Sequence, residues 1–219
     1  MNRLRSLVWV TVLCAAVTVG CGSAVREPAI VCSPNASPAE MLAAREVRRY
    51  LYLTTGQVLP VVQTDNTRSI SGDAVVVGRK DRPVVASFAA EVSALGSEEY
   101  RLKTIARDDG QIVLIAGGDD TGTLYGAYRF AELLGVRFYM HGDVVPETRK
   151  NLPLPAVDET GKPLFPVRGI QPFHDFPEGP DWWNLDDYKA IISQLPKLRM
   201  NFIGLHTYPE GGAGPEPTV

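Results

Sequence analysis

The residues with the richest chemistry gather near the end of this 219-residue chain. His174 and Asp175 stand side by side, Glu178 and Asp181 follow among prolines, Trp182 and Trp183 form an indole pair, and His206 with Tyr208 comes later. Imidazole and carboxylate groups can hydrogen-bond the hydroxyls of a sugar or orient a carboxylate. A flat indole packs well against the C–H face of a pyranose. The same side chains serve equally well as hydrogen-bonding partners within loops, and the tryptophans as a cover over an apolar core. Glycoside hydrolysis needs two carboxylates facing each other across the scissile bond. Asp175, Glu178 and Asp181 qualify by location alone, and their spacing marks no pair, so no catalytic residue is assigned.

Other chemistries find less support. Two histidines and an aspartate can hold a metal, but no His-x-x-x-His or comparable spacing accompanies them, and neither metal nor cofactor is expected. No G-x-S-x-G elbow is present for a serine nucleophile. Gly117-Gly118-Asp119-Asp120-Thr121-Gly122 lies where a phosphate loop would open a helix. It lacks both the dinucleotide spacing and a lysine, and its two aspartates would oppose a phosphate, so it reads as a capped turn. Cys32 has no histidine or basic residue beside it and reads as a small buried or linker residue.

These residues need elements to position them. LFPVRGIQ spells a strand, Asn184 caps a helix carrying Leu185, Tyr188, Ile191, Ile192 and Leu195, Pro196 stops it, and NFIGLH spells a second strand. Two parallel strands bury one another only when more strands and helices follow, so this unit reads as the start of a (β/α)₈ barrel continuing beyond Val219. In such a barrel the loops after successive strands lie side by side, which would bring His174 and Asp175 close to His206.

Upstream, Ser37-Pro38-Ala39-Glu40 is a capping box, followed by Met41, Leu42, Ala44, Val47 and Leu51 at helical intervals and closed by Gly56. VLPVV at 58–62 and AVVVG at 74–78 read as strands. Asp109-Gly110 between two alternating runs predicts a hairpin with strands near 99–107 and 111–116. A helix should run from Asp119 and Asp120 to Gly135, followed by a short strand pair or an extended exit over VRFYM and VVP. Prolines 146, 153, 155, 163 and 166 mark a linker. The fold class expected is α/β: an accessory α/β sandwich-like domain with a mixed sheet and helices, then the first strand–helix–strand of a truncated barrel.

The chain begins with Arg3 and Arg5, an uncharged apolar run and then Thr18-Val19-Gly20-Cys21, a secretory leader whose end resembles the bacterial lipobox. Cys21 would be acylated, and membrane contact would run only through that lipid, with an ordinary cleaved signal or an N-terminal membrane anchor as the alternative. The expected divisions are a leader over 1–20, a tether over 21–36, the accessory domain over 37–146, a linker over 147–163 and the barrel start over 164–219. The formal net charge is −3, and losing Arg3 and Arg5 with the leader makes it more acidic. With no run of basic residues, nucleic acid is excluded as a partner.

Glu99-Tyr100-Arg101-Leu102, the segment IVLIAGGDDTGTLYGAYRFAELLGVRFY, the proline linker, Arg168-Gly169 and KLRMNFIGLH occur in one order along the chain. Together they resemble the front of the glycoside hydrolase family 20 β-hexosaminidases and of the α-glucuronidases. The resemblance implies an accessory domain, often called zincin-like, ahead of a (β/α)₈ barrel, and a glycan or oligosaccharide as substrate. In the hexosaminidases the arginine of the RG pair holds sugar hydroxyls, which the resemblance transfers to Arg168. The implied substrate-binding set is then Arg168, His174, Asp175, Trp182 and His206. Hexosaminidases continue RG with an LD…RH pattern, whereas Ile170-Gln171-Pro172-Phe173-His174-Asp175 stands here. Their catalytic Asp-Glu pair lies on the fourth barrel strand, so the chain alone is expected to be inactive. The rival expectation is a non-catalytic, surface-tethered carbohydrate-binding or structural lipoprotein.

Overall fold

Ser37 begins the first helix through the reciprocal capping box: its Oγ accepts from the Glu40 amide at 3.1 Å while its own amide donates to Glu40 Oε2 at 2.7 Å. Helix α1 (Pro38–Thr55) runs from there to Gly56, whose left-handed backbone closes it with an N–H donated to Tyr52 O. The computed structural model describes residues 28–147, 149, 151, 154–172 and 179–205. In chain order the elements are β1 (Ala29–Cys32), α1, β2 (Val61–Gln63), β3 (Ala74–Arg79), the short α2 (Pro83–Ala86) and α3 (Ala89–Val92), β4 (Tyr100–Arg107) and β5 (Gly110–Gly117). They continue with α4 (Asp120–Leu133), β6 (Arg137–Tyr139), β7 (Gly142–Val144), β8 (Asp158–Gly161), β9 (Gly169–Ile170), α5 (Leu185–Gln194) and β10 (Phe202–Ile203).

The main sheet has the order β2-β1-β3-β5-β4-β8. Its first four strands run parallel, and β4 and β8 add antiparallel pairings. Strand alternation divides the core in two. Ile30, Val75, Val77, Leu102, Val113 and Ile115 face α1 and α4, while Val31, Val76, Ile112, Leu114 and Ala116 face Val84, Val85 and Val92 of α2 and α3. The fold is therefore a mixed, mostly parallel sheet with helices on both faces, as expected for the class. Cys32 is fully buried in this core, and burial, with Glu40 and Asp65 adding to it, pushes its thiol pKa up.

Several boundaries differ from the sequence reading. The tether expected over 21–36 contains β1, a central strand in which Ile30, Val31 and Cys32 pair with β2 and Ala29, Ile30 and Val31 with β3. The linker expected over 147–163 contains β8, which completes the sheet by pairing Asp158–Gly161 with Lys103–Tyr100. Its side chains are polar because an edge strand answers its neighbour with charge, here Asp158 to Lys103 at 3.0 Å. The hairpin is present, but Arg107 pairs with Gly110, which makes Asp108 and Asp109 the turn. VLPVV supplies a strand only from Val61, and α2 and α3 were not expected at all.

The second unit is small. Strands β9 and β10 pair in parallel, Phe202 with Gly169 and Ile203 with Ile170, and α5 lies between them in sequence. Asn184 caps α5 as expected, its Oδ1 accepting from the amides of Asp186 and Asp187. Pro196 ends the helix by starting a tight 3-10 turn over Pro196–Leu198. Among the described residues no helix is long and apolar enough to cross a membrane.

Candidate functional site

The densest polar constellation lies where the second unit meets the first, and Arg168 is at its centre. Its backbone amide donates to Asn201 Oδ1 at 2.9 Å, Nε to Arg199 O at 2.8 Å, and Nη1 to Phe165 O. Nη2 donates to the Glu98 carboxylate and, at 3.3 Å, to Tyr125 Oη. The guanidinium also lies over the Tyr125 ring, 5.7 Å from its centroid. Burial opposes the charge of Arg168, but the hydrogen bond and charge of Glu98, together with Tyr125, outweigh it and hold its pKa above the ordinary arginine value.

Tyr125 projects from α4, and its hydroxyl donates in turn to Met200 O at 3.3 Å. Asn201 spreads its amide between Glu98 Oε1 at 2.9 Å and Pro166 O at 2.8 Å. Burial pushes the Tyr125 phenol up, with Glu98 adding to it, so the hydroxyl stays protonated as the donor this geometry needs. A second cluster joins Lys197 to Asp143 at 2.8 Å, and Tyr50 Oη donates to the same carboxylate at 2.8 Å. Burial would raise the Asp143 pKa, but the hydrogen bonds from Lys197 and Tyr50 keep it below the usual carboxylate range. A third pairs Arg199 with Glu132 of α4 at 2.7 Å.

Near the Lys197–Asp143 pair, which Gln194 adjoins, lies an open cleft of about 570 Å³, lined by Met140 and His141, Trp182 and Trp183, and Asp187 and Gln194 among others. Trp182 sits in the turn Pro180–Trp182 and is 55% exposed, so an indole face is available there. Trp183 packs edge-on against Tyr188 at 5.3 Å. Of the residues singled out from the sequence, Arg168 and Trp182 are placed as described. His174, Asp175, Glu178, His206, Tyr208 and Cys21 lie outside the described residues, as does the side chain of Asp181. Among the described residues no group of three or more His, Cys, Asp or Glu side chains is arranged to hold a metal. The junction carboxylates Glu98, Glu132 and Asp143 are each paired with a cation of the second unit, an arrangement suited to positioning that unit. Sequence reasoning missed these three together with Tyr125, Lys197 and Asn201. KLRMN, which contributes Lys197, Arg199 and Asn201, was visible only as part of a resemblance.

Comparison with known proteins shows this architecture to be similar to N-terminal domains of glycoside hydrolases. Residues 22–130 match the family model described as the glycosyl hydrolase family 67 N-terminus. The match is to family 67, and the narrower family 20 reading gains no support from it. No curated protein matches the chain. Among solved structures, a family GH115 4-O-methyl-α-glucuronidase, BtGH115A, with specificity for decorated arabinogalactans, shares 21% identity and a TM-score of 0.58 over 81% of this chain and 25% of that one. A mutant Streptomyces plicatus β-hexosaminidase in complex with its product GlcNAc shares 18% identity over 81% of this chain and 30% of that one, with a TM-score of 0.47. The chain thus spans about a quarter of the length of the glucuronidase whose fold it shares.

Proposed function

We propose that this chain is the N-terminal part of an exported glycoside hydrolase acting on an oligosaccharide. In this reading an accessory domain precedes the first strand–helix–strand of a (β/α)₈ barrel, and the catalytic acid pair belongs to later strands. The observation that carries the reading is the apolar surface of the second unit. Leu164, Phe165, Val167, Leu185, Ile192, Phe202 and Leu205 are all exposed there, Leu164 to 90%. Both strand edges facing away from the β9–β10 ladder are unpaired among the described residues. A two-stranded parallel sheet with this much open apolar surface calls for further βα units to cover it. The glucuronidase named above makes a glucuronic-acid-bearing glycan the first substrate class to try, with Trp182, His174, Asp175 and His206 lining the first sugar subsite. Arg168, which the resemblance put there too, instead has each guanidinium nitrogen donating to a partner within the chain. The chain alone should be inactive.

The test is to extend the reading frame past codon 219, express the longer protein, and compare turnover of aryl glucuronides with that of aryl N-acetylhexosaminides. Turnover of either by the longer protein, with none by residues 1–219, is the expected result. A stop at codon 220 in several independent isolates would overturn the hydrolase reading and leave the tethered binding module. Export is tested separately. Growth with a clickable fatty-acid analogue should label the protein, and Cys21→Ala should abolish the label. Labelling that persists in the variant removes the lipoprotein proposal.

A further inference from the structure

The three junction pairs share a pattern that sugar recognition does not require. Every carboxylate belongs to the first domain: Glu98 in the loop before β4, Glu132 in α4 and Asp143 in β7. Every cation belongs to the second unit: Arg168 at the start of β9, and Lys197 and Arg199 in the turn before β10. The pair Lys197–Asp143 is nearly withdrawn from solvent, with side chains 7% and 11% exposed, so screening weakens it little. Glu98 and Arg199 are also the only non-glycine residues in the left-handed backbone region among those described, both at φ of 58°. Such a backbone is costly for a side-chain-bearing residue and persists where its surroundings determine it. Here it aims one member of each of two pairs across the junction.

Arg168 also ties the two strands of the second unit to each other. Its carbonyl accepts from the amides of both Asn201 and Phe202, at 2.7 and 3.1 Å, so whatever fixes Arg168 fixes the start of β10 as well. Apolar contact supports the same seat. Leu195 is buried and Leu198 packs on the core cluster beneath α1 and α4, whereas Leu185 and Ile192 further up α5 remain exposed.

We propose that the first domain is a docking socket whose acidic rim seats the first strand–helix–strand and sets the register of its two strands before any further strand joins. Arg168 is the positioning residue of this socket: its carbonyl holds β10 while its guanidinium is held by the first domain. Domains formed early in synthesis are available as templates for the segments made after them. A two-stranded parallel unit cannot bury itself, so the rim supplies contacts that the unit lacks. The proposal stands on these contacts alone and holds whether or not the substrate is a sugar.

The test is hydrogen exchange followed by mass spectrometry on the whole chain, comparing wild type with Glu98→Gln and Lys197→Met. These variants alter two separate pairs, one from each side of the junction. In both, peptides covering residues 200–205 should exchange about ten-fold faster or more, because the amides of Met200, Asn201, Phe202 and Gly204 lose the seat that orders their acceptors. Peptides covering Val75–Val77 and Val113–Ile115 should exchange at the wild-type rate. Unchanged exchange over 200–205 in both variants would overturn the proposal, since the unit would then be held by something else. Equal acceleration of all these peptides in both variants would also overturn it, by showing that no separable seat exists.

Discussion

Replacing Glu40 with alanine is expected to destabilise the protein by about 3–5 kcal/mol, the usual consequence of breaking a buried ion pair by removing one partner. Glu40 is fully buried and serves four donors at once. Its carboxylate accepts from the amide of Ser37, as the capping box requires, and from the amide of Arg79 at 2.8 Å. It also accepts from Arg82 Nε at 2.9 Å and Nη2 at 2.7 Å. One side chain therefore starts α1 and ties it to the end of β3 and the turn that opens α2. Alanine would leave the Arg82 guanidinium and two backbone amides without partners. In a chain of this size the melting temperature should fall by roughly 10 °C. Glutamine, which keeps the shape and some acceptor capacity, should cost less. A loss below about 1 kcal/mol in Glu40→Ala by denaturant unfolding would show that the cluster is not the anchor described here.

The same carboxylate sets a pH dependence. Burial pushes the Glu40 pKa up, but the bonds from Arg82 and from the Ser37 and Arg79 amides together bring it below its ordinary value of 4.5. A depressed pKa in the folded state means that the stabilisation is fully present above the unfolded value and is lost as pH falls through the lower folded one. Wild-type stability should therefore decline below about pH 4.5, and Glu40→Gln should show a shallower decline over that window.

Glu40 also shows what kind of information the sequence holds. The capping box was legible because all its parts lie within four residues, and so were the caps of α1 and α5 and the alternation of β4 and β5. The reach of Glu40 to Arg82 was not legible, because a partner 42 positions away leaves no local spacing to read. Strand β1 failed for the same reason in another form. Four residues after Arg26-Glu27-Pro28 carry no period, and AIVC becomes a strand only because β2 and β3 close on both its edges. Strand β8, Asp-Glu-Thr-Gly, is polar and lies among prolines, and its place depends on Arg101 and Lys103 opposite. The junction was the hardest part. Arg168 was visible through a resemblance, but Glu98 and Tyr125 lie 70 and 43 positions away, and only the folded chain brings them to its guanidinium.

Gly118→Ala is expected to be the other severe substitution, for a reason that settles what the glycine-rich turn is for. An added Cβ at Gly118 would fall 1.7 Å from Gly96 O and 2.7 Å from Gly96 C, and backbone cannot swing aside as a flexible side chain would. The facing loop is itself held in place. Gly118 N donates to Glu99 O at 2.8 Å, and the Asp119 carboxylate accepts from Ser97 Oγ at 2.6 Å and from the Glu98 amide at 3.0 Å. A glycine pair after a strand and before a helix suggested a phosphate site by position, and its aspartates spoke against one. The structure supplies the use: close backbone contact that fixes the loop carrying Glu98. Relieving the clash must move that loop, so the cost should reach at least the 1–3 kcal/mol typical of overpacking, seen as a lower denaturant midpoint. Because Glu98 moves with the loop, exchange over 200–205 should also accelerate at denaturant concentrations where the β3 and β5 amides remain protected. A variant with near-wild-type stability and an undisturbed 200–205 segment would refute both the contact and its link to the junction.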